Sequence, residues 1–345
     1  MDERLAARFE RQLLGADQAA DGVAVAGRLL AVQAQDLRSA RLAVRARAPG
    51  SSLAGLDHAL SDERSLVIGW LNRGTLHLVR AEDYWWLHAL TTPPLFTGNA
   101  RRLEQTGVGA GAAGKGVALI ERALADEGPL TRDDLRDRLA AGGVPTAGQA
   151  LVHVLMLACL RGIAVRGPLA GGRHAYVLAR DWLPPDDAVD RERARVELAR
   201  RYLAGHAPAD DRDLAKWAGL PLRDARAGLR GLGSALVERD DGLLELAGAA
   251  APVRPRSLLL DQWDPVLVGW RSRDALLADY PRRDDVAAHF RPFAYVGGRA
   301  VATWGLRRGR VELDAPFGRV SRAAAQELRR DAADVERFLS KTAVG

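Results

Sequence analysis

The chain has 345 residues, is 48% hydrophobic, and carries a formal net charge of +6 with an isoelectric point of about 9.9. This size suits two or three globular domains, and the lack of a run of about 18 uncharged apolar residues argues against a membrane span. The charged start is unlike a signal peptide, and a lone cysteine, Cys159, cannot form an internal disulfide. We therefore expect a cytoplasmic protein in which Cys159 is a small buried hydrophobe.

The basic balance predicts a polyanionic partner. Nearly all of the positive charge is arginine, because lysine occurs only at positions 115, 216 and 341. Genome base composition can produce such a bias, so charge alone does not identify the partner. No His/Cys cluster has zinc spacing, and we expect neither a metal nor a cofactor.

The first third of the chain reads as helices followed by a β-hairpin. Asp36 occupies a helix N-cap position, and the turn Asn72-Arg73-Gly74 separates two β-rich runs. Helices followed by a hairpin are the outline of a winged helix-turn-helix. The predicted elements are helices over 3–14, 22–34, 37–42 and 53–60, and strands over 65–71 and 75–79.

That outline recurs twice. Thr131 caps a helix with Asp134 as an approximate capping box, and Gly171-Gly172-Arg173 forms the tip of a second wing. In the second repeat, helices are predicted over 117–127, 132–141 and 146–162, with strands over 163–166 and 174–178. In the third, helices are predicted over 187–205, 211–218 and 222–229, with strands over 235–238 and 243–246.

The pattern turns to strands after the Ala/Gly-rich boundary at 247–252. Four strands are predicted over 257–260, 292–296, 299–304 and 311–313, and a closing helix over 320–340. We predict an α+β fold of tandem winged helix-turn-helix units, with a small β-rich unit that forms a partial barrel. The predicted units are 1–115, 116–184 and 185–250, each a winged helix, and 251–345, the β-rich unit with the final helix.

Winged helices place one helix against a DNA groove and the hairpin against the backbone or the minor groove. Three in tandem on a basic chain favour DNA binding. They also serve as protein–protein modules, and nothing in the repeat itself implies chemistry.

Two glutamines, Gln33 and Gln35, are separated by one small apolar residue. On an ideal helix, side chains at positions i and i+2 point about 160° apart. Here the pair falls at the break between two predicted helices, where both carboxamides can turn to the same side. Spacing alone favours the plainer interpretation, in which the glutamines are caps or surface polar groups.

Three motifs in order resemble those of the AlkZ/YcaQ family of winged-helix DNA glycosylases. The segment FRPFAYVGGRAVATW (290–304) also fits, and the resemblance runs from about residue 5 to 340. Departures occur at Leu37, Asn72 and Trp263, and none touches the glutamines. The motifs are LLAVQAQDLRSARLAVRAR (29–47), WLNRGTLHLVRAEDYWWL (70–87) and LLLDQWDPVLVGWRSRDALL (258–277).

The Gln-apolar-Gln form matches the AlkZ-like branch. Members of that branch unhook bulky alkyl adducts and interstrand crosslinks, and some protect producers of DNA-alkylating natural products. The resemblance implies that Gln33 and Gln35 are catalytic and hold a water, with Asp36 as a competing base or a helix cap. It also implies a monomer acting on double-stranded DNA that carries an alkylated purine. With no lysine near the motif, we expect no lyase activity.

Candidate DNA contacts come from the two wings and the third motif. For each of them a structural role is the alternative, and Asp264 is expected to support the third motif within an ion-pair network. The competing function is a non-catalytic, regulator-like DNA-binding protein. The candidate contacts are Arg73, His77, Arg80, Arg173, His174, Arg271 and Arg273.

Overall fold

The computed structural model describes residues 2–170, 172–185 and 188–340. The predicted wing-tip residue Gly171, the predicted helix start at residue 187 and Lys341 lie outside these ranges. The helices are α1 (Glu3–Arg11), α2 (Gly22–Leu29), α3 (Leu37–Arg47), α4 (Leu53–Ser61), α5 (Tyr84–Thr91), α6 (Leu95–Gln105), α7 (Ala110–Glu127), α8 (Arg132–Ala141), α9 (Ala150–Leu160), α10 (Ala179–Trp182), α11 (Arg191–His206), α12 (Asp211–Ala218), α13 (Leu222–Gly231), α14 (Pro265–Val268) and α15 (Arg322–Leu339).

The strands are β1 (Val32–Gln33), β2 (Leu66–Leu71), β3 (Thr75–Arg80), β4 (Leu130–Thr131), β5 (Ala164–Ala170), β6 (Arg173–Leu178), β7 (Leu236–Glu238), β8 (Leu244–Leu246), β9 (Leu258–Leu260), β10 (Phe293–Val296), β11 (Arg299–Arg307) and β12 (Arg310–Leu313). Short 3-10 helices span Ala81–Asp83, Gly233–Ala235 and Val286–His289. Within the described ranges, no helix combines the length and apolar content that a membrane span needs.

The chain divides into two compact units that are not consecutive in sequence. The first unit comprises residues 1–56, 195–217 and 221–345, and the second comprises 57–194 and 218–220. The four predicted segments follow one another along the chain, whereas the first unit combines both ends. The predicted segment 1–115 is therefore shared between the two units.

The first unit is built on a curled four-stranded antiparallel sheet in the order β12-β11-β10-β9. One face buries Leu260, Phe293 and Tyr295 against Phe9 of α1, and the other packs against α3 and α15. Because side chains alternate along a strand, each face of this sheet has an apolar core of its own. The predicted partial barrel corresponds to this open sheet.

The second unit holds five antiparallel strands in the order β3-β2-β5-β6-β4. Helix α9 lies at the centre of the helical layer and contacts α6, α7, β2 and β5. Its sequence is almost wholly apolar, as expected for a helix that is covered on most sides. Cys159 on this helix is 1% exposed, and burial raises the pKa of its thiol to about 12.

Several predicted element ends are confirmed and others are corrected. The predicted capping box of Thr131 and Asp134 is present. Helix α1 ends at Arg11 rather than residue 14, because Leu13 takes a left-handed conformation with φ 61°. Helices α5 and α6 were not predicted as separate elements. Helix groups followed by hairpins occur at α7–α9 with β5–β6 and at α11–α13 with β7–β8, and their winged-helix class stays a prediction.

Candidate active site

The segment with the two glutamines lies between α2 and α3. The predicted helix over 22–34 ends at Leu29, because Leu30 adopts φ 66°, which a branched side chain rarely takes. The chain is then extended through β1 and bends before α3. Gln33 ends β1 and Gln35 lies in the bend, so the alternation of an extended strand does not reach Gln35. Gln33 is 5% exposed and Gln35 is exposed, so one carboxamide is fixed by packing and the other is open to solvent.

Helix α11 supports the end of α2 just before this segment. Gly205 approaches the backbone so closely that a Cβ there would lie 2.6 Å from the carbonyl oxygen of Arg28. In the same helix, Arg201 donates a hydrogen bond of 2.7 Å to the carbonyl oxygen of Gly27. The last carbonyls of a helix have no partner within it, and Arg201 satisfies one of them. Both contacts fix the last turn of α2, directly before the strained Leu30.

Helix α3 begins directly after the glutamines. Asp36 is its N-cap, as predicted, and accepts a hydrogen bond of 2.8 Å from the backbone nitrogen of Ser39. The hydroxyl of Ser39 donates a 3.0 Å hydrogen bond to Asp261 Oδ2. Arg38 Nε lies 3.4 Å from the same oxygen. The start of α3 is therefore tied to the third motif by a buried carboxylate.

Two buried arginines fix the other end of α3. Arg47, 0% exposed, makes two 2.8 Å hydrogen bonds to the carboxylate of Asp264. Its guanidinium also donates to Gln12 Oε1 at 2.8 Å and to the carbonyl oxygen of Ala43 at 2.9 Å. Such a pair holds geometry because either charge alone would be costly to bury.

Arg45 is likewise paired with carboxylates, here from α15. It contacts Asp331 at 2.7 Å and Asp334 at 3.2 Å, and donates to the carbonyl oxygen of Leu259 on β9 at 3.0 Å. Burial alone would lower the pKa of Arg45, but these two carboxylates outweigh it and raise the pKa above its ordinary value. Through Arg45, α3 is bound to both the sheet and α15.

Asp264 and Arg273 of the third motif bind other residues of the protein. Asp264 is 1% exposed and caps α14 in addition to holding Arg47. Arg273 donates to the carbonyl oxygen of Leu267 at 2.6 Å and lies 4.6 Å above the ring of Phe290, and burial lowers its pKa. Arg271 is more open, with a 44% exposed side chain 3.5–3.7 Å from Asp210 and Asp213. Of the two predicted DNA-contacting arginines here, Arg271 presents more charge to solvent.

The remaining predicted contacts belong to the second unit. Arg73 is half-buried in the turn between β2 and β3. Arg80 pairs with Glu82 at 2.6 Å and Asp83 at 2.8 Å. In the second hairpin, Arg173 is exposed and forms an ion pair with Asp133, and His174 is half-buried.

His77 lies on β3 and is 1% exposed, in a strand whose four central residues are all buried. Its Nδ1 is 3.0 Å from the carbonyl oxygen of Thr75. Burial, and then the nearby charge of Arg73, lower the pKa of His77 to about 3. The imidazole is neutral at physiological pH and, in this structure, cannot meet a phosphate as a surface cation.

This burial makes stability depend on pH. Between pH 6.5 and about 3 the unfolded state binds a proton at His77 and the folded state does not. The stabilisation is complete above about pH 6.5 and is lost at about 1.4 kcal/mol per pH unit below it. The free energy of unfolding, measured in urea, should fall by about 2 kcal/mol more between pH 6.5 and 5 in wild type than in His77→Asn, which is a steeper slope for wild type. His58→Asn, at an exposed histidine, should keep the wild-type slope, and equal slopes for all three proteins would disprove the assignment.

Arg38, Ser39 and Asp261 are functional candidates that sequence reasoning missed. The available signal was Asp261, an acidic residue directly after the apolar run Leu258-Leu259-Leu260. Its hydrogen-bond partner Ser39 lies 222 residues away in sequence, and no spacing rule connects them. Among the residues described, no group of three His, Cys, Asp or Glu side chains is placed to hold a metal.

Comparison with known proteins gives a family and a fold. Residues 26–338 match the family model described as DNA glycosylase AlkZ-like. The solved structure of Streptomyces sahachiroi DNA glycosylase AlkZ is similar, with a TM-score of 0.77 and 24% identity over 97% of this chain and 95% of that chain. At that identity the likeness establishes the fold alone. A search of curated proteins gave no match.

Proposed function

This chain belongs to the AlkZ-like DNA glycosylase family, and on that premise we propose that it hydrolyses the N-glycosidic bond of alkylated purines in double-stranded DNA. The observation that carries the proposal is the placement of Gln33 at the end of β1 and of Gln35 in the bend that follows, between α2 and α3. The substrates proposed are bulky N7 or N3 adducts, including interstrand crosslinks. A role in general repair or in self-resistance is compatible with this chemistry.

The chemistry demands little acid catalysis. An N7- or N3-alkylpurine already carries a positive charge and leaves as a neutral base when the bond between C1′ and N9 breaks. The electron pair of that bond goes to the purine, and the sugar becomes oxocarbenium-like. A water oxygen then bonds to C1′ and releases a proton to solvent. Placing this water and stabilising the sugar cation are the tasks left to the protein.

The two carboxamides suit those tasks differently. Gln33 is buried and fixed, so its oxygen can accept a hydrogen bond from a water in one place. Gln35 is exposed and can close on the water when DNA arrives. Positioning of this kind is worth several kcal/mol. Carboxamides do not titrate, so they are poor general bases. Undamaged purines are poorer leaving groups than alkylated ones and are therefore spared.

Asp36 is the competing catalytic candidate. Its carboxylate accepts a hydrogen bond from the backbone of Ser39 at the start of α3. This favours a capping role, in which Asp36 orients the helix and the preceding glutamines. We propose the exposed cations Arg173 and Arg271 as the first DNA contacts to test, ahead of the half-buried Arg73, Arg80, Arg273 and His174 and the buried His77.

The test of the function is base release by the wild-type protein. Duplex oligonucleotides carrying N7-methylguanine, or an N7-linked crosslink, are incubated with the protein and then treated with alkali. We expect an abasic site that alkali cleaves, no strand cleavage before alkali, and no adduct trapped by borohydride, because no lysine lies near the motif. An unmodified duplex is the control. Salt-sensitive binding without release from either substrate would instead favour the non-catalytic, regulator-like function.

A further inference from the structure

The first turn of α3 carries an arginine that the chemistry above does not use. Arg38 follows Gln35 by three residues, and both side chains are exposed. The side chain of Arg38 is 48% exposed, whereas that of its partner Asp261 is 0% exposed. The atom of Arg38 closest to Asp261 is Nε, at 3.4 Å from Oδ2, and among the described residues Arg38 has no other ion-pair partner. Nearly half of the Arg38 side chain therefore stays exposed to solvent beside this contact.

Asp261 does not need Arg38 for its own stability. Its Oδ2 accepts the hydroxyl of Ser39 at 3.0 Å, and its Oδ1 accepts the backbone nitrogen of Gln262 at 2.9 Å. An ion pair with a half-exposed arginine adds little to stability. Arg38 gains more from this contact than Asp261 does, because a fixed buried carboxylate limits the positions that the long, flexible arginine side chain can take.

We propose that Arg38, oriented by Asp261, binds a backbone phosphate of the damaged strand and so places the anomeric carbon of the lesion at Gln33 and Gln35. The planar guanidinium fork matches two phosphate oxygens. Phosphate contacts set the register of a protein on DNA and do not depend on the base. Arg38 is thus a substrate-binding residue, and Asp261 is a positioning residue that acts through it.

The proposal rests on the proposed function for its catalytic part only. Binding of a phosphate by Arg38 is measurable without any chemistry, on an unmodified duplex. Counterion release makes the slope of log affinity against log salt fall by about 0.9 for each phosphate contact that is lost. Base release on the N7-methylguanine duplex then reports whether the same contact serves catalysis.

The decisive variant is Arg38→Gln, which removes the charge from the surface and leaves the core intact. We expect the salt slope to fall by about 0.9. On the N7-methylguanine duplex we expect kcat/KM to fall about 10- to 100-fold, mostly through KM. Arg38→Lys keeps the charge but loses the fork, so it should recover the salt slope and part of the KM. Arg329→Gln, at an exposed arginine of α15, is the matched control and should behave as wild type.

Asp261→Asn separates positioning from contact. It retains Arg38 and should keep the salt slope while raising KM, and its melting temperature reports whether the core survives. An Arg38→Gln protein with wild-type affinity, slope and KM would overturn the proposal. If wild type releases no base but Arg38→Gln lowers the salt slope by about 0.9, the phosphate contact stands and the glycosylase function fails. If wild type releases base and Arg38→Gln does so equally well, the function stands and the role of Arg38 fails.

Discussion

Replacing Gln35 with alanine is expected to slow base release about 10²- to 10³-fold while leaving DNA affinity close to wild type. Groups aimed at a reacting centre cost about that much when removed. Because Gln35 is exposed, its truncation leaves no cavity, and the loss should appear in kcat rather than KM. Single-turnover release from an N7-methylguanine duplex, beside an affinity measurement on an unmodified duplex, is the assay.

The matched control is Gln326→Ala, which truncates an exposed glutamine on α15 of the same unit. It should release base at the wild-type rate. Gln35→Glu keeps an acceptor for the water and should retain more activity than Gln35→Ala, with a rate that rises as the new carboxyl ionises. A Gln35→Ala protein as fast as wild type would remove the water-positioning role from this residue.

The largest expected loss of stability comes from Asp264→Ala. This change leaves Arg47, which is 0% exposed, without its carboxylate. An unpaired buried charge typically costs about 3–5 kcal/mol. The variant also loses the cap of α14, which adds about 1 kcal/mol. Urea unfolding at neutral pH measures the free energy of unfolding directly.

Two comparisons separate charge from packing in that experiment. Glu127→Ala breaks an exposed ion pair with Arg138 and should leave the unfolding midpoint nearly unchanged. The double variant Arg47→Met/Asp264→Leu removes both charges and should recover most of the loss, apart from the cap. If Asp264→Ala unfolds at the wild-type midpoint, the pair does not hold α3 in place.

Local features were readable from the sequence where a residue acts on its neighbours. Asp36 as an N-cap, the capping box at Thr131 and the hairpin around Asn72-Arg73-Gly74 all follow from residue types at fixed short spacing. The end of α2 at Leu29 could not be predicted in this way, because Leu30 takes a left-handed conformation that packing enforces against its own preference.

Long-range contacts were beyond the sequence. The pair of Arg47 with Asp264 joins residues 217 apart, and the contact of Ser39 with Asp261 spans 222. His77 is a predicted DNA contact with a structural role in the strand as the alternative, and it is buried because β2 and most of β3 are covered on both faces. The motif resemblance pointed to segments 29–47 and 258–277 but did not predict the contacts between them.

The arginine and aspartate contacts of α3 bear on how this site can be moved or inherited. Segment 29–47 carries the glutamines, but its helix is oriented by Asp261 and Asp264 from segment 258–277. Grafting segment 29–47 alone onto a related scaffold would leave Arg45 and Arg47 buried without their carboxylates. A chimera must exchange segment 258–277, which supplies Asp264, and α15, which supplies Asp331 and Asp334, together with it. In recombination between relatives, the three distant stretches therefore behave as one exchangeable module.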